Sequence, residues 1–120
     1  MIVDDDEQHR MVLRAILEQE GYQVIEADSG KKCLAILKEG ERPDLILLDV
    51  MMPELDGWET CSRIKKDKKT KDLTVAMLTI KSQDPDKMKS LSNAGADWHI
   101  TKPIEKDRFL KSVKWLLKKS

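Results

Sequence analysis

The sequence has little cysteine, and its two cysteines do not lie in a pattern typical of a metal site. Cys33 and Cys61 are far apart, no C-x-x-C pair is present, and no histidine lies nearby in sequence to complete a zinc site. Nothing in their spacing indicates zinc binding. We expect both residues to be buried thiols.

The sequence also lacks an excess of charge of either sign and any long apolar run. Lysine plus arginine and aspartate plus glutamate both number 22, so the net charge is zero and gives no global sign of nucleic-acid binding. No apolar run approaches the roughly 20 residues that span a bilayer, and the N-terminus does not resemble a signal peptide. We therefore expect a cytoplasmic protein that contacts neither nucleic acid nor a membrane directly.

What is present is the composition of a folded domain. Hydrophobic residues make up 40% of the chain and charged residues 37%, a balance typical of a globular fold rather than a disordered segment. A length of 120 residues suits one domain and is too short for two cores joined by a linker. We expect residues 1–120 to form a single domain.

Short apolar runs alternate with longer amphipathic stretches along the chain. The apolar runs are residues 2–3, 22–26, 45–48, 74–78 and 98–100. Each is followed by apolar residues at helical spacing. Ser29, Asp56 and Asp84 stand where they would cap the second, third and fourth helices, and Gly21 and Gly40 end the first two.

This alternation predicts an α/β fold, a single doubly wound (βα)5 domain with a parallel five-stranded sheet covered by helices on both faces. In such sheets the ligand site lies beyond the carboxyl ends of the strands. The polar residues at those ends are Asp4, Asp5 and Asp6 after the first strand, Asp49 after the third, Thr79 after the fourth and Lys102 after the fifth.

The residue types at these ends suit phosphoryl chemistry. Carboxylates gathered at one edge repel each other, and a bound divalent cation is one usual remedy. Oxygen ligands suit Mg²⁺, which shares an oxygen with phosphate groups. Asp49 could then act as a nucleophile that forms an acyl phosphate, with Lys102 as a positive charge for the phosphoryl oxygens. Thr79 could donate a hydroxyl hydrogen bond to the same group.

Four stretches of the sequence closely resemble the landmarks of response-regulator receiver domains of two-component signalling. They are IVDDDE, LILLDVMMPELDGWE, the threonine of VAMLTIKS, and GADWHITKP, and together they span nearly the whole chain. The resemblance implies a flavodoxin-like sheet with strand order 2-1-3-4-5. It also implies a switch, not an enzyme for external substrates, that catalyses only its own phosphorylation and dephosphorylation. The phosphoryl donor would be a histidine kinase or a phosphotransfer protein.

Carried over by position, the resemblance assigns roles to single residues. Asp49 would be the phosphoacceptor. The ligands of a Mg²⁺ ion would be Asp4, Asp5, Asp49 and the backbone carbonyl of Met51. Asp6, one place beyond the acidic pair, would simply start the first helix. Lys102 would contact the phosphoryl group and form a cis peptide bond with the proline that follows it.

The resemblance also implies a switch. Thr79 would be the switch hydroxyl, and the face formed by the fourth helix, the fifth strand and the fifth helix would bind a downstream protein or a second copy of the chain. His99 stands where receivers usually have Tyr or Phe, and Ile80 stands where a small residue is usual. If His99 fills the aromatic position, its charge near neutral pH would link activation to pH. A phosphorylation-induced change that is the same at about pH 6 and about pH 8 would contradict this hypothesis.

Other functions remain open at this point. A phosphohydrolase with an aspartate nucleophile would need a second aspartate two residues later, where this chain has Met51. A pseudo-receiver would have the fold but accept no phosphoryl group, and His99 and Ile80 leave room for it. The sequence fits either a stand-alone receiver or one excised from a longer protein.

Some residues have a simpler interpretation. His99 could be an ordinary residue of an edge strand. The lysine-rich segment 65–71 is more typical of a solvated helix end than of a nucleic-acid patch. Trp58, Trp98 and Trp115 fall in patterned segments and are expected to pack, although an exposed Trp115 would indicate a partner surface.

The bulk of Ile80 generates a prediction. A large side chain beside the phosphoryl site restricts the approach of water or of a phosphodonor, so we expect an Ile80→Ala variant to be phosphorylated and dephosphorylated faster than the parent. Time courses of acyl-phosphate formation and decay measure both rates. Faster turnover in the parent would contradict the prediction.

Overall fold

Five parallel strands form one sheet in the computed structural model, which describes residues 1–52, 55–80 and 95–119, with the side chains of Ile80 and Lys119 outside the description. The strands are β1 (Ile2–Val3), β2 (Glu26–Ala27), β3 (Ile46–Asp49), β4 (Val75–Ile80) and β5 (Trp98–Lys102). They lie in the order β2-β1-β3-β4-β5, and every pair is parallel. The predicted α/β fold and its strand order 2-1-3-4-5 are confirmed.

Four helices lie within the described ranges. They are α1 (Glu7–Gln19), α2 (Gly30–Lys38), α3 (Gly57–Lys66) and α4 (Lys106–Lys119). Asp6, Ser29 and Asp56 cap α1, α2 and α3 by accepting hydrogen bonds from backbone N–H groups of the first turn, as predicted. The helix predicted to follow Asp84 lies outside the described residues. None of these four helices is long and apolar enough to cross a bilayer.

The central strand β3 is buried on both faces because its side chains alternate between two hydrophobic clusters. Ile46 and Leu48 belong to a cluster that includes side chains of α2 and α3, whereas Leu47 belongs to a cluster that includes side chains of α1 and α4. Fully burying one such aliphatic side chain contributes about 1.5–3 kcal/mol. The two clusters therefore hold β3 in place between the two helix layers. They also fix the position of Asp49, the last residue of the strand.

Both cysteines are buried thiols, as predicted. Cys33 of α2 and Cys61 of α3 lie in the same cluster, each with no exposed surface. Burial raises the pKa of the Cys33 thiol to about 12 and that of Cys61 to about 11. A thiol that does not ionise at neutral pH is a poor nucleophile and a poor metal ligand.

The structure corrects two expectations. The second strand was expected at residues 22–26, but β2 covers only Glu26–Ala27, since β1 offers pairing partners only at Ile2 and Val3. Trp98 and Trp115 were expected to pack, but they are 43% and 47% exposed. They contact each other instead, with ring centroids 5.0 Å apart.

The start of α3 is packed against the end of β3 without room for a side chain. The N–H of Gly57 donates to the carbonyl of Val50 at 3.2 Å. A Cβ at position 57 would lie 2.2 Å from the Asp49 carbonyl oxygen and 2.8 Å from the Val50 Cα. Both neighbours are backbone atoms, so an added methyl group would have to displace the strand end that carries Asp49.

We expect Gly57→Ala to lower the free energy of unfolding by about 1–3 kcal/mol, the usual cost of overpacking. The loss should appear although alanine favours a helix over glycine by about 1 kcal/mol. Urea unfolding measures the change. Lys66→Ala on the exposed end of α3 is the matched control and should stay within about 0.5 kcal/mol of the parent. Equal stability of Gly57→Ala and the parent would contradict the packing argument.

Candidate functional site

The acidic and basic residues predicted at the strand ends meet at one edge of the sheet. β1 and β3 are neighbours, with Val3 paired to Leu48, so the next residues along each strand, Asp4 and Asp49, lie side by side. Lys102 is the last residue of β5, and its side chain reaches Asp49 of β3 although β4 lies between the two strands. The parallel arrangement is what gathers these ends, because all carboxyl ends of a parallel sheet lie on one side.

Asp49 is held on both of its carboxylate oxygens. Lys102 Nζ donates to Oδ2 at 2.8 Å, and the backbone N–H of Met51 donates to Oδ1 at 2.9 Å. Asp49 is only 3% exposed. Burial raises the pKa of its carboxyl above the ordinary value, the hydrogen bonds from Lys102 and Met51 act against this rise, and the charge of Asp4 adds to it. The ionised form is therefore disfavoured by its surroundings despite the ion pair.

Asp4 is the most buried carboxylate of the site, at 1% exposure. Its Oδ1 accepts a hydrogen bond from the backbone N–H of Asp6 at 2.9 Å, and its backbone carbonyl accepts one from Arg10 at 2.6 Å. Its Oδ2 is in close contact with Nδ1 of His9. The first turn of α1 thus surrounds Asp4 and leaves Oδ2 facing the site.

A cleft of about 510 Å³ opens over these groups. Its lining includes all the residues predicted to bind the metal, together with the lysine and one histidine. They are Asp4, Asp5, Asp49, Met51, Lys102 and His9. Asp5 is exposed whereas Asp4 and Asp49 are buried, so the predicted acidic pair consists of one inner and one outer carboxylate. Two inner carboxylates with an outer one at the mouth of a cleft suit a Mg²⁺ ion that keeps several waters.

Two of the predicted switch residues, Thr79 and His99, are not among the residues that line this cleft. Thr79 is 3% exposed and follows Leu78, the residue paired with Asp49, so its backbone lies one step beyond the acceptor strand end. Ile80 pairs with Lys102, but its side chain lies outside the described part of the structure. His99 is exposed, and its ring stacks on Trp98 with centroids 6.1 Å apart.

His9 is the site residue that the sequence argument missed. Its imidazole nitrogen lies with carboxylate oxygens of Asp4 and Asp49 in a group whose donor atoms are all within 4.8 Å of one another. A signal was present, because His9 is three residues after the cap Asp6 and side chains of a first helical turn point back toward the helix start. The helix start here adjoins the acidic strand end. The cis bond between Lys102 and Pro103, implied by the resemblance, is present.

Comparison with known proteins agrees with this geometry. Residues 1–114 match the sequence model of the response regulator receiver domain. The chain belongs to this family. As a receiver domain of two-component response regulators, it is a member of a family of signalling switches, and its sheet order is the one found in receivers of known structure.

Several relatives extend over the whole of this receiver. It is 38% identical over 120 residues to the DNA-binding dual master transcriptional regulator RpaA of Synechocystis sp.. The matched region covers 100% of this chain and 49% of RpaA. It is 34% identical over 117 residues to Protein PilH of Pseudomonas aeruginosa, covering 98% of this chain and 95% of PilH. The chain thus spans about half the length of RpaA and nearly all of PilH.

Solved structures give the same result. The signal receiver domain of a signal transduction histidine kinase from Syntrophus aciditrophicus superposes with a TM-score of 0.90 at 37% identity, covering 98% of this chain and 87% of that one. A CheY-like response regulator receiver domain protein from Methanospirillum hungatei gives 0.84 at 35% identity, with 98% and 92% covered.

The raised pKa of Asp49 predicts how its replacement changes stability with pH. Below the ordinary pKa of a carboxyl group the folded and unfolded states are both protonated, and the buried charge costs nothing. As pH rises through the interval between the ordinary and the raised pKa, the unfolded state ionises first and the folded state loses stability relative to it. An Asp49→Asn variant cannot ionise, so its stability relative to the parent should rise across this interval and stay higher above it.

Urea unfolding of metal-free protein at a series of pH values tests this expectation. Asp28→Asn is the matched control, because Asp28 follows β2 at the same edge of the sheet but is exposed. The stability of Asp49→Asn relative to the parent should grow with pH more than that of Asp28→Asn. A relative stability that falls as pH rises would mean that the Lys102 ion pair outweighs the burial of Asp49.

Proposed function

We propose that residues 1–120 act as a receiver domain in which Asp49 accepts a phosphoryl group from a histidine kinase or a phosphotransfer protein, in a reaction that requires Mg²⁺. The observation that carries the proposal is the buried Asp49 carboxylate, which lies beside Asp4 and accepts a hydrogen bond from Lys102 Nζ at 2.8 Å. A nucleophile, an acidic neighbour and a cation share one cleft.

The transfer makes use of the groups around Asp49. One carboxylate oxygen of Asp49 forms a bond to phosphorus while the bond from phosphorus to the donor's imidazole nitrogen breaks, and the electron pair of that bond stays on the nitrogen. Lys102 exchanges its hydrogen bond to Asp49 for one to a phosphoryl oxygen. It thereby stabilises charge that develops in the transition state.

The site would hold its Mg²⁺ ion through Asp4, Asp5, Asp49 and the backbone carbonyl of Met51. When bound, the ion neutralises charge on the phosphoryl oxygens and on the carboxylates. The chain itself fixes two of these ligands in advance: Asp6 N–H holds Asp4, and Met51 N–H holds Asp49. The carboxylates are thus oriented before an ion or a phosphoryl group arrives.

The signal would pass from Asp49 through Thr79 to β5. Thr79 of β4 is paired in register with Thr101 of β5, the strand that also contains His99 and Lys102. A hydrogen bond from the Thr79 hydroxyl to the phosphoryl group would draw the end of β4 toward Asp49. The surface that responds would include β5 and α4, where the exposed pair Trp98 and Trp115 offers an apolar contact for a downstream protein or a second copy of the chain.

The residue two places after the acceptor supports a switch rather than a phosphohydrolase. Met51 is 55% exposed and carries no group that could act as a general acid or base. Without a general acid or base at this position, hydrolysis of the acyl phosphate should be slow, so each molecule should hold its phosphoryl group for a time rather than turn over an external substrate.

Incubation with Mg²⁺ and acetyl phosphate tests the proposal. Mass spectrometry of the intact protein should show the addition of one phosphoryl group, and both chelation of the metal and Asp49→Asn should abolish it. Asp28→Asn is the matched control and should be phosphorylated like the parent. Lys102→Met should slow the reaction by about 10²-fold or more, the usual effect of removing one group that stabilises transition-state charge.

Two outcomes would overturn the proposal. Absence of any adduct in the parent would favour a binding module that has the fold without phosphorylation. Release of inorganic phosphate over many turnovers, without accumulation of an adduct, would favour a phosphohydrolase.

A further inference from the structure

The imidazole of His9 lies inside the acidic site rather than on the outer face of α1. Its Nδ1 is in contact with Oδ2 of Asp4, and its side chain is 23% exposed. The backbone N–H of His9 donates to the capping carboxylate of Asp6 at 3.3 Å, which fixes the residue in the first turn of the helix. The position of the ring is therefore set by the same cap that starts α1.

The donor atoms around the ring are close enough to share one ion. An atom of Asp4, His9 and Asp49 each lies within 4.8 Å of the other two. Ligands bound at about 2.0–2.2 Å from an ion are at most about 4.0–4.4 Å apart when they lie opposite each other. Small movements of the side chains would bring all three atoms onto one coordination sphere.

We propose that His9 is a nitrogen ligand of the metal site, which makes this receiver select divalent transition ions over Mg²⁺ more strongly than its carboxylates alone would. The inference rests on the metal site of the proposed function and adds a ligand to it. Imidazole suits borderline ions such as Zn²⁺, whereas Mg²⁺ strongly prefers oxygen. One nitrogen among oxygen ligands therefore adds more to the binding of Zn²⁺ than to that of Mg²⁺.

The burial of the two carboxylates supports this arrangement. Asp4 and Asp49 are 1% and 3% exposed and already approach each other on neighbouring strand ends, whereas Asp5 is exposed at the rim of the cleft. An ion drawn to the two inner carboxylates would lie next to His9 Nδ1.

Metal binding by the full chain, measured at one pH near neutrality, tests the inference. Isothermal titration calorimetry with Mg²⁺ and separately with Zn²⁺ gives the ratio of the two affinities for the parent and for His9→Gln, which replaces the nitrogen by an amide of similar reach. We expect the affinity for Zn²⁺ to fall by at least about tenfold in His9→Gln, and that for Mg²⁺ to change by less than about threefold. His99→Gln, the other histidine of the chain, is the matched control and should leave the ratio unchanged.

A second measurement observes the ring directly. Nitrogen NMR of the two imidazoles, the only ones in the sequence, should show a large shift of His9 Nδ1 when Zn²⁺ is added and none of that size for His99. Asp49→Asn should weaken this response, because it removes a second ligand from the same ion. The readout needs no phosphoryl transfer.

An unchanged ratio of Zn²⁺ to Mg²⁺ affinity in His9→Gln would overturn the inference, and His9 would then be only a hydrogen-bond partner of Asp4. A Zn²⁺-induced shift confined to His99 would overturn it as well. The proposed function fails separately, through absence of the Mg²⁺-dependent adduct on Asp49. A normal adduct with an unchanged affinity ratio would therefore remove the role of His9 and leave the phosphoacceptor in place.

Discussion

Two carboxylates kept out of water on adjacent strand ends impose the constraint around which the rest of the site is arranged. Asp4 and Asp49 are almost fully buried and their charges repel each other. A buried charge is tolerated only when nearby groups compensate it. Lys102 does this for Asp49, and the N–H of Asp6 does it for Asp4. The end of β5 and the start of α1 are placed where this compensation is needed.

The hydrophobic clusters on the two faces of the sheet offset the energetic cost of keeping these two carboxylates buried side by side. β3 is held between them by alternating side chains, so its end cannot withdraw from Asp4 to relieve the repulsion. The contact at Gly57 prevents the end of β3 from moving toward α3, because the first turn of α3 lies directly against the Asp49 carbonyl. Packing elsewhere in the domain thus holds Asp4 and Asp49 close together despite the repulsion between their charges. Binding of a further cation, or neutralisation of either carboxylate, would reduce this repulsion.

The fold was largely predictable from the sequence because its signals are local. The alternation of apolar runs and amphipathic stretches indicated the parallel sheet, and Asp6, Ser29 and Asp56 marked the helix starts. The placement of Asp4, Asp49 and Lys102 at one edge followed from topology alone. The roles assigned to these residues remain predictions, and those of Thr79, Ile80 and His99 concern a movement on phosphorylation that local sequence patterns do not encode.

What the sequence could not supply was the direction of single side chains. Helical periodicity alone would place His9 on the solvated face of α1. The side chains of a first helical turn point back toward the strand end, however, and this brings His9 into the cleft. Trp98 and Trp115 belong to segments with the correct pattern, yet their rings contact each other at a tilt of 51° and remain partly exposed outside the core. The second strand was predicted to start four residues too early and did not include Ala27, because the apolar run at 22–26 begins before the residues that pair with β1.

The opposite end of the sheet contains a junction with a different consequence. Lys65, in the last turn of α3, donates to the carbonyl of Leu73 at 2.6 Å and to Asp97 at 2.7 Å. The same oxygen of Asp97 accepts from the N–H of Val75 at 2.8 Å, and Asp97 N–H donates back to the Val75 carbonyl at 2.9 Å. β4 and β5 are thus clamped together where they begin. With the starts of β4 and β5 fixed in this way, a displacement of the strand pair would be concentrated at the other end, where Thr79 and Lys102 lie and where the bond from Lys102 to Asp49 would have to change.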